Sequence, residues 1–128
     1  MQTIEQLLAQ LTQHEANENT LTTAEQISLH FEIGEAYTAE KEYAKVIEHL
    51  FLALELLGTM ENAKAQTAKA NYEMACAFYR NAEYDKAIPY AQQSLTMFQE
   101  LEQKADIAKA YQRLGLIVAV NKEYADSL

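Results

Sequence analysis

A short phrase built around a tyrosine occurs three times in this chain of 128 residues. It reads KEYAK at 41–45, AEYDK at 82–86 and KEYAD at 122–126, so its tyrosines are Tyr43, Tyr84 and Tyr124. A fixed period of about 40 residues is typical of proteins whose units cannot bury their apolar faces alone and must stack. The period therefore predicts a repeat architecture.

The residues before each tyrosine share a second pattern. A small residue stands nine positions earlier, at Gly34, Ala75 and Gly115. A bulky residue precedes each small one, and another follows it by three positions. Residues three and four apart share one helix face, and a small residue lets two helices approach closely. Each unit should therefore be a helix, a tight turn at the phrase and a second helix.

The composition favours helices over strands. Only 3 glycines and 1 proline punctuate the chain, although 49% of it is hydrophobic. A β-rich chain of this length would need more turn residues. We therefore predict an all-α fold of about seven helices, the last hairpin being truncated. The predicted helices span 3–15, 23–39, 42–58, 62–80, 83–101, 104–120 and a short stretch from 122.

Two regions are expected. Residues 1–20 form an N-terminal helix and a linker, and residues 21–128 form the repeat domain. The repeats span about 24–61, 62–102 and 103–128. Capping boxes are predicted at Thr3 with Gln6 and at Thr22 with Glu25, because Thr followed three residues later by Glu or Gln satisfies free N–H groups at a helix start.

Charge argues against nucleic acid and membrane partners. The formal net charge is −9, and residues 1–40 contain seven acids and no lysine or arginine. Phosphates and anionic lipids would be repelled. The N-terminus MQTIEQLLAQL has neither the basic start nor the apolar run of a signal peptide or anchor. With one cysteine, Cys76, no internal disulfide can form, which fits the cytoplasm.

No constellation for catalysis, metal binding or a cofactor is present. No histidine pairs with an acid in the E-x-x-H spacing of a carboxylate-bridged metal site. The chain also lacks H-E-x-x-H, C-x-x-C, a phosphate-binding glycine loop and the G-x-S-x-G nucleophile motif. We expect His30 to be a half-buried structural residue and His49 to lie on the surface. Buried cysteine usually behaves as a small hydrophobe, and Cys76 is interpreted in that way. An enzyme is therefore not expected.

The repeated pattern resembles the tetratricopeptide repeat (TPR), in a variant with a long unit of about 40 residues. The resemblance rests on the bulky and small residues before each phrase, on its tyrosine and on the alanine after it. The resemblance covers residues 24–128. It departs at His30 and Asn71, where the motif opens with an aromatic residue, and at Val46, where a small one is usual. It implies a right-handed α-solenoid without catalysis that binds protein or peptide. The segments HFEIGEAY and YDKAIPY also resemble peptide-sensing regulators of Gram-positive bacteria.

In such repeats the first helix of each hairpin lines the concave face. The resemblance therefore assigns partner binding to Phe31, Glu35, Thr38, Lys69, Tyr72, Tyr79, Arg80, Lys109, Gln112, Arg113 and Leu116. Cys76 and Val120 should point the same way. Aromatic and basic groups together suit an extended peptide that carries an acidic group. The alternative is that Tyr72 and Tyr79 only pack between helices.

One variant of the family holds a C-terminal carboxylate with a clamp of Lys, Asn and Arg side chains. Lys109 and Arg113 match its third-repeat pair. Phe31, Glu35 and Glu73 occupy three other clamp positions, and the two acids would repel a carboxylate. Binding of chaperone tails is therefore not predicted.

The third repeat ends early. A closing helix of about seven residues is too short to cover the apolar run from Leu114 to Val120. Either the chain is a piece of a longer solenoid, or another subunit supplies the cover. We expect a homo-oligomer formed through the C-terminal hairpin. A self-assembly module and a fragment of a peptide-sensing regulator are the alternatives to an adaptor.

Overall fold

Every regular element in the described residues is a helix. The computed structural model describes residues 2–17 and 20–128. Its helices are α1 (Ile4–Glu15), α2 (Thr23–Ala39), α3 (Tyr43–Leu57), α4 (Lys64–Arg80), α5 (Tyr84–Glu100) and α6 (Lys104–Asp126). The predicted all-α class is confirmed, and the predicted bounds of the first five helices agree within two residues.

Both predicted capping boxes are present. The side chain of Thr3 accepts the Gln6 N–H at 3.2 Å, and the Gln6 side chain accepts the Thr3 N–H at 2.9 Å. Thr22 and Glu25 make the same exchange at 3.1 and 3.0 Å. These bonds satisfy N–H groups that have no partner inside the helix, and they fix where α1 and α2 begin.

The repeated phrase forms the same turn in its first two occurrences. Lys41 and Ala82 both adopt a left-handed conformation with φ of 61°. The next N–H in each turn, that of Glu42 or Glu83, reaches back to a carbonyl five residues earlier, at 3.0 and 2.9 Å. This backbone arrangement is a Schellman motif, which reverses the chain so that a second helix can pack on the first.

The third occurrence does not form a turn. The break predicted near residue 121 is wrong, because α6 continues for 23 residues through Lys122 and Tyr124. The described residues therefore contain six helices rather than seven, and the third repeat is one helix rather than a truncated hairpin. A non-glycine residue in the left-handed region costs about 1 kcal/mol or more. In the described part of the chain, no second helix packs back on α6 to offset that cost.

None of these helices, α6 included, is apolar enough over a sufficient length to cross a lipid bilayer, within the residues that the structure describes.

The chain divides into two compact units. The first ends at Met60 and contains α1, α2 and α3, and the second spans Glu61–Leu128 and contains α4, α5 and α6. The division falls at the end of the first predicted repeat. The grouping of residues into 1–20 and 21–128 stays a prediction.

Apolar residues at helical spacing join the helices of the first unit. On α2, Ile27 and Ile33 are 2% and 0% exposed, and on α3, Leu50 and Ala53 are equally well buried. Leu7 is the buried residue of α1, which packs on α2. Fully burying a side chain such as Leu or Ile contributes about 1.5–3 kcal/mol, so this stripe holds the hairpin together.

Two apolar clusters form the core of the second unit. Ala68, Leu95, Phe98 and Ala110 make one cluster from three helices. Ala75, Ala87, Ala91 and Ile117 make the other, again from α4, α5 and α6. The many alanines allow close helix packing. As a result α6, which packs on α5, is also brought beside the face of α4 that the sequence assigns to partner binding.

Candidate functional site

A groove in the second unit collects most of the predicted binding residues. We call it the α4–α6 surface and define it by Lys69, Tyr72 and Tyr79 on α4 and by Lys109, Gln112, Arg113 and Leu116 on α6. Tyr72, Tyr79 and Arg113 are half-buried, and the other four are exposed. Arg80, at the last turn of α4, is exposed as well.

Two cations of α6 lie over two aromatic rings of α4. The Lys109 Nζ is 5.0 Å from the centroid of the Tyr72 ring, and the Arg113 guanidinium carbon is 5.8 Å from that of Tyr79. Cation–π contacts at such distances stabilise by about 0.5–1 kcal/mol at exposed sites. They also hold both positive groups in defined places along the groove.

Two depressions open on this surface, and both are lined by Tyr72 and Lys109. One has a volume of about 210 Å³ and is completed by Gln112, Arg113 and Leu116. The other has a volume of about 290 Å³. It is lined in addition by Ala65, Lys69, Phe98, Gln103 and Asp106. An open, partly apolar groove with several cations is suited to a peptide side chain.

The local charge differs from that of the chain as a whole. Lys69, Lys109 and Arg113 border the surface, against Asp106 in one depression and the half-buried Glu73 of α4, whose charge acts on Cys76. Burial acts to lower the pKa of the Arg113 guanidinium, but Cys76 and the two tyrosines raise it, and the net direction is upward. Arg113 therefore stays charged, and an acidic ligand group would meet fixed positive charge.

Cys76 lies beneath the groove rather than in it. Its side chain is 6% exposed. Burial raises the pKa of its thiol, and the charges of Arg113 and Arg80 offset only part of that effect. A protonated, buried thiol is a poor nucleophile, which agrees with its interpretation as a small hydrophobe.

The three candidate residues of the first repeat lie in the other unit. Glu35 is exposed on α2, and Phe31 and Thr38 are half-buried. The Thr38 hydroxyl donates to the Gly34 carbonyl at 2.8 Å, so it already has a partner within its own helix. The structure thus brings together the candidates of the second and third repeats, while the assignment of Phe31, Glu35 and Thr38 stays a prediction.

A buried histidine pair joins α2 to α3. The Nδ1 atoms of His30 and His49 are 3.0 Å apart, so one ring donates its N–H and the other accepts it. The expected surface position of His49 is wrong, since it is 8% exposed. Its position between Val46 and Ala53 on α3 places it on the buried stripe, a signal that the sequence does contain.

Burial controls the protonation of this pair. It lowers the pKa of His30 to about 4, with a further contribution from His49. Burial also lowers the pKa of His49, against an opposing effect of Glu48. The rings of His30 and His49 are therefore both neutral at physiological pH. His30 also lines a depression of about 420 Å³ in the first unit, together with His14 and Glu15.

Sequence reasoning missed four residues of the larger depression, namely Ala65, Phe98, Gln103 and Asp106. It considered only the first helix of each hairpin and the residues expected on its concave face. Phe98 and Gln103 come from α5 and from the turn after it. Asp106 lies one turn before Lys109 on α6, and that spacing could have indicated it.

Among the described residues, no three or more His, Cys, Asp or Glu side chains are grouped so as to hold a metal ion. Compared with models of known protein families and with curated proteins, the chain matches none.

Proposed function

We propose that this chain is a non-catalytic adaptor of the cytoplasm, built as a TPR-like right-handed α-solenoid, which binds a protein or an extended peptide on the α4–α6 surface. The observation that carries the proposal is the pair of cations held over Tyr72 and Tyr79 beside open depressions. The Schellman turn at Lys41 recurs 41 residues later at the equivalent Ala82, and this register supports the repeat assignment. A turn of the same kind also joins α5 to α6 at Glu102.

The chemistry of the surface favours an acidic partner segment. Lys109 and Arg113 reach the groove from one helix, four residues apart, so both can contact one extended chain. Arg113 makes a side-chain hydrogen bond with Tyr72, but its planar guanidinium has five N–H donors, so others can bind a carboxylate. Tyr72 offers an apolar face next to them, which suits the side chain adjacent to an acid.

Mere packing of the tyrosines between helices is the competing explanation. Two rings that only filled the α4–α6 interface would be buried and would line no opening. Both rings pack in part against the apolar clusters of the unit, but Tyr72 also lines both depressions, and Tyr79 is only half-buried. This difference supports a binding role.

The proposal is tested by selecting peptides from a random library against the whole chain and measuring their affinity by fluorescence anisotropy. We expect the selected peptides to be enriched in Asp and Glu. Reversing both charges with Lys109→Glu and Arg113→Glu should weaken binding by at least about tenfold, equivalent to about 1.4 kcal/mol. Circular dichroism should show that the variant remains helical.

The matched control reverses two other lysines of the same unit, Lys64→Glu and Lys86→Glu. These residues make exposed ion pairs with Glu100 and Glu83, at 3.4 and 3.1 Å, which contribute little to stability. The control changes the net charge equally and should leave binding within about twofold. Equal losses in both variants, or no selected peptide at all, would remove the groove assignment.

A further inference from the structure

The outer face of α6 carries a continuous exposed stripe that the α4–α6 surface does not use. The stripe consists of Ala108, Tyr111, Gly115, Val118, Lys122 and Ala125, and each of these residues is exposed. Their spacing alternates between three and four, which is the seam of a coiled coil. We call this set the Gly115 stripe. Tyr111 is 56% and Val118 is 46% exposed.

The corresponding face is covered by a helix in both earlier repeats. In the register of the tyrosine phrase, Gly115 corresponds to Gly34 and Ala75. A Cβ atom added at Gly34 would lie 3.9 Å from the Leu50 side chain of α3, and one added at Gly115 would have nothing within 4 Å. Ala75 is fully buried in a cluster with residues of α5.

The large residues of the stripe show the same contrast. Tyr111 corresponds to His30 and Asn71, which are 5% and 3% exposed. Val118 corresponds to Tyr37, which is 8% exposed. The chain thus repeats a helix-binding face for a third time, and on α6 none of the described helices packs over it. Its contact with α5 is at the edge, where the Tyr111 hydroxyl accepts the Gln99 amide N–H at 3.3 Å. Exposed apolar surface of this kind marks an interaction site.

The stripe is complementary to itself when a second copy runs antiparallel. A two-fold axis at Gly115 places glycine on glycine, where two backbones can approach closely, and sets Tyr111 of each copy within one residue of the level of Val118 of the other. The same axis brings Lys104, one step before the stripe, opposite Asp126. Lys122 falls opposite the small Ala108, over which its stem can lie.

We propose that the chain forms a two-fold homodimer in which two α6 helices pack antiparallel along the Gly115 stripe. The interface is a single helix face, smaller than the ~800 Å² per partner of a standard interface. Standard interfaces bind with micromolar or tighter affinity, so we expect a weaker dissociation constant, of about 10–100 µM. The sequence predicts an oligomer formed through a C-terminal hairpin. The proposed dimer differs, because its contact is one face of α6. The dimer leaves Lys109 and Arg113 on another side of α6.

The test is sedimentation equilibrium of the whole chain, with Gly115→Glu as the disrupting variant. Glu has a higher helix propensity than Gly, and its Cβ meets nothing in the monomer, so the variant should fold at least as well. Two glutamates at the axis should weaken the dimer at least about tenfold. The matched control, Gln92→Glu on the exposed side of α5, should leave it unchanged.

Two further variants test the antiparallel register. Gly115→Cys should form a covalent dimer under mild oxidation, since a disulfide needs Cα atoms about 4.4–6.8 Å apart. Wild type should not, because Cys76 is buried. Lys104→Glu and Asp126→Lys should each weaken the dimer, and the two together should restore it.

Three results would overturn the proposal. The first is a wild-type chain that remains monomeric at ~300 µM, well above the expected dissociation constant. The second is a dimer that Gly115→Glu leaves intact. The third is a Gly115→Cys variant that forms the dimer but does not cross-link on oxidation. The outcome is independent of peptide binding. The Lys109→Glu, Arg113→Glu variant should still dimerise, and Gly115→Glu should still bind the selected peptides.

Discussion

One member of the histidine pair, His49, also takes part in an aromatic contact that has an equivalent in the second unit. The rings of Tyr37 and His49 are stacked at 6.0 Å with an interplanar angle of 25°, and those of Phe78 and Tyr90 at 5.5 Å with the same angle. Phe78 and Tyr90 occupy the equivalent positions of the next repeat. The first hairpin thus keeps the aromatic contact but adds a hydrogen bond between two titratable rings.

This pair should make stability depend on pH in a defined window. The pKa of His30 is about 4 in the folded chain, against 6.5 when exposed. The unfolded chain therefore binds more protons between these values, and stability falls as the pH drops from 6.5 to about 4. One pKa unit is worth about 1.4 kcal/mol, so His30 accounts for a loss of up to about 3 kcal/mol. Urea denaturation followed by circular dichroism at pH 7 and pH 4.5 measures this loss.

The control transplants the residues of the second hairpin into the first. His30→Asn and His49→Tyr together reproduce Asn71 and Tyr90, which correspond to them in the repeat. Carboxylates away from the pair contribute about equally to both proteins, whereas the effect of Glu48 on His49 is lost with the histidine and belongs to the difference that is measured. The wild type should therefore lose more stability than the variant on acidification, and identical losses would show that the pair does not titrate as described.

At the scale of the helix, equivalent positions of the repeat have different surroundings. Gly34 faces Leu50 and Val46 of α3, whereas Gly115 faces open space. Gly34→Leu should therefore overfill a packed contact and lower the free energy of unfolding by about 1–2 kcal/mol. Gly115→Leu should raise it by up to about 1 kcal/mol, because leucine is the better helix former. Thermal denaturation of dilute protein measures both.

An alanine at each position provides the reference for this comparison. The added Cβ at Gly34 would make only ordinary contacts of 3.9 Å and more, so alanine should be tolerated at both sites. If Gly115→Leu were as destabilising as Gly34→Leu, the face around Gly115 would have to be covered within the monomer. That result would also contradict an open stripe.

The helix bounds could be predicted because their determinants are local. Thr22 and Glu25 fix a helix start with two short-range bonds, and the turn at Ala82 closes within six residues. The end of α6 is a different case, since KEYAD has the composition of the earlier turns. Whether this phrase turns depends on a second helix that packs back on the first, and a short sequence pattern carries no record of that packing.

At the scale of the whole molecule, the second compact unit has apolar clusters of its own. In the second unit, Ala68, Leu95 and Ile117 belong to clusters made from α4, α5 and α6 alone. We therefore expect a fragment of residues 61–128 to fold by itself and to bind the selected peptides with unchanged affinity. Circular dichroism and fluorescence anisotropy measure the two properties.

A domain of this size buries only about 60% of its unfolded surface, so the fragment should have modest stability. A matched fragment that ends before α6, at residue 103, would lack Ala110 and Ile117 from the core. It should be largely unfolded. A well-folded 61–103 fragment, or a disordered 61–128 fragment, would contradict the assignment of the second unit as an independent body.

The candidate site, like the end of α6, could be predicted only in part, because a sequence pattern reports spacing along the chain and does not report packing between helices. Tyr72, Lys109 and Arg113 could be found because a repeat register assigns a face to each position. Phe98 and Gln103 could not, since they reach the groove only through the packing of α5 against its neighbours.

Because Cys76 is buried, the reactivity of its thiol can report local opening of the second unit. It is the single thiol of the protein, it lies beneath Tyr72 and Arg113, and it is 6% exposed. A thiol reagent can reach it when the side chains or helices that cover it move apart, so the rate of labelling measures how often that opening occurs. A ligand that bridges α4 and α6 would lower that rate, and its occupancy could be followed without attaching any dye to the protein or the ligand.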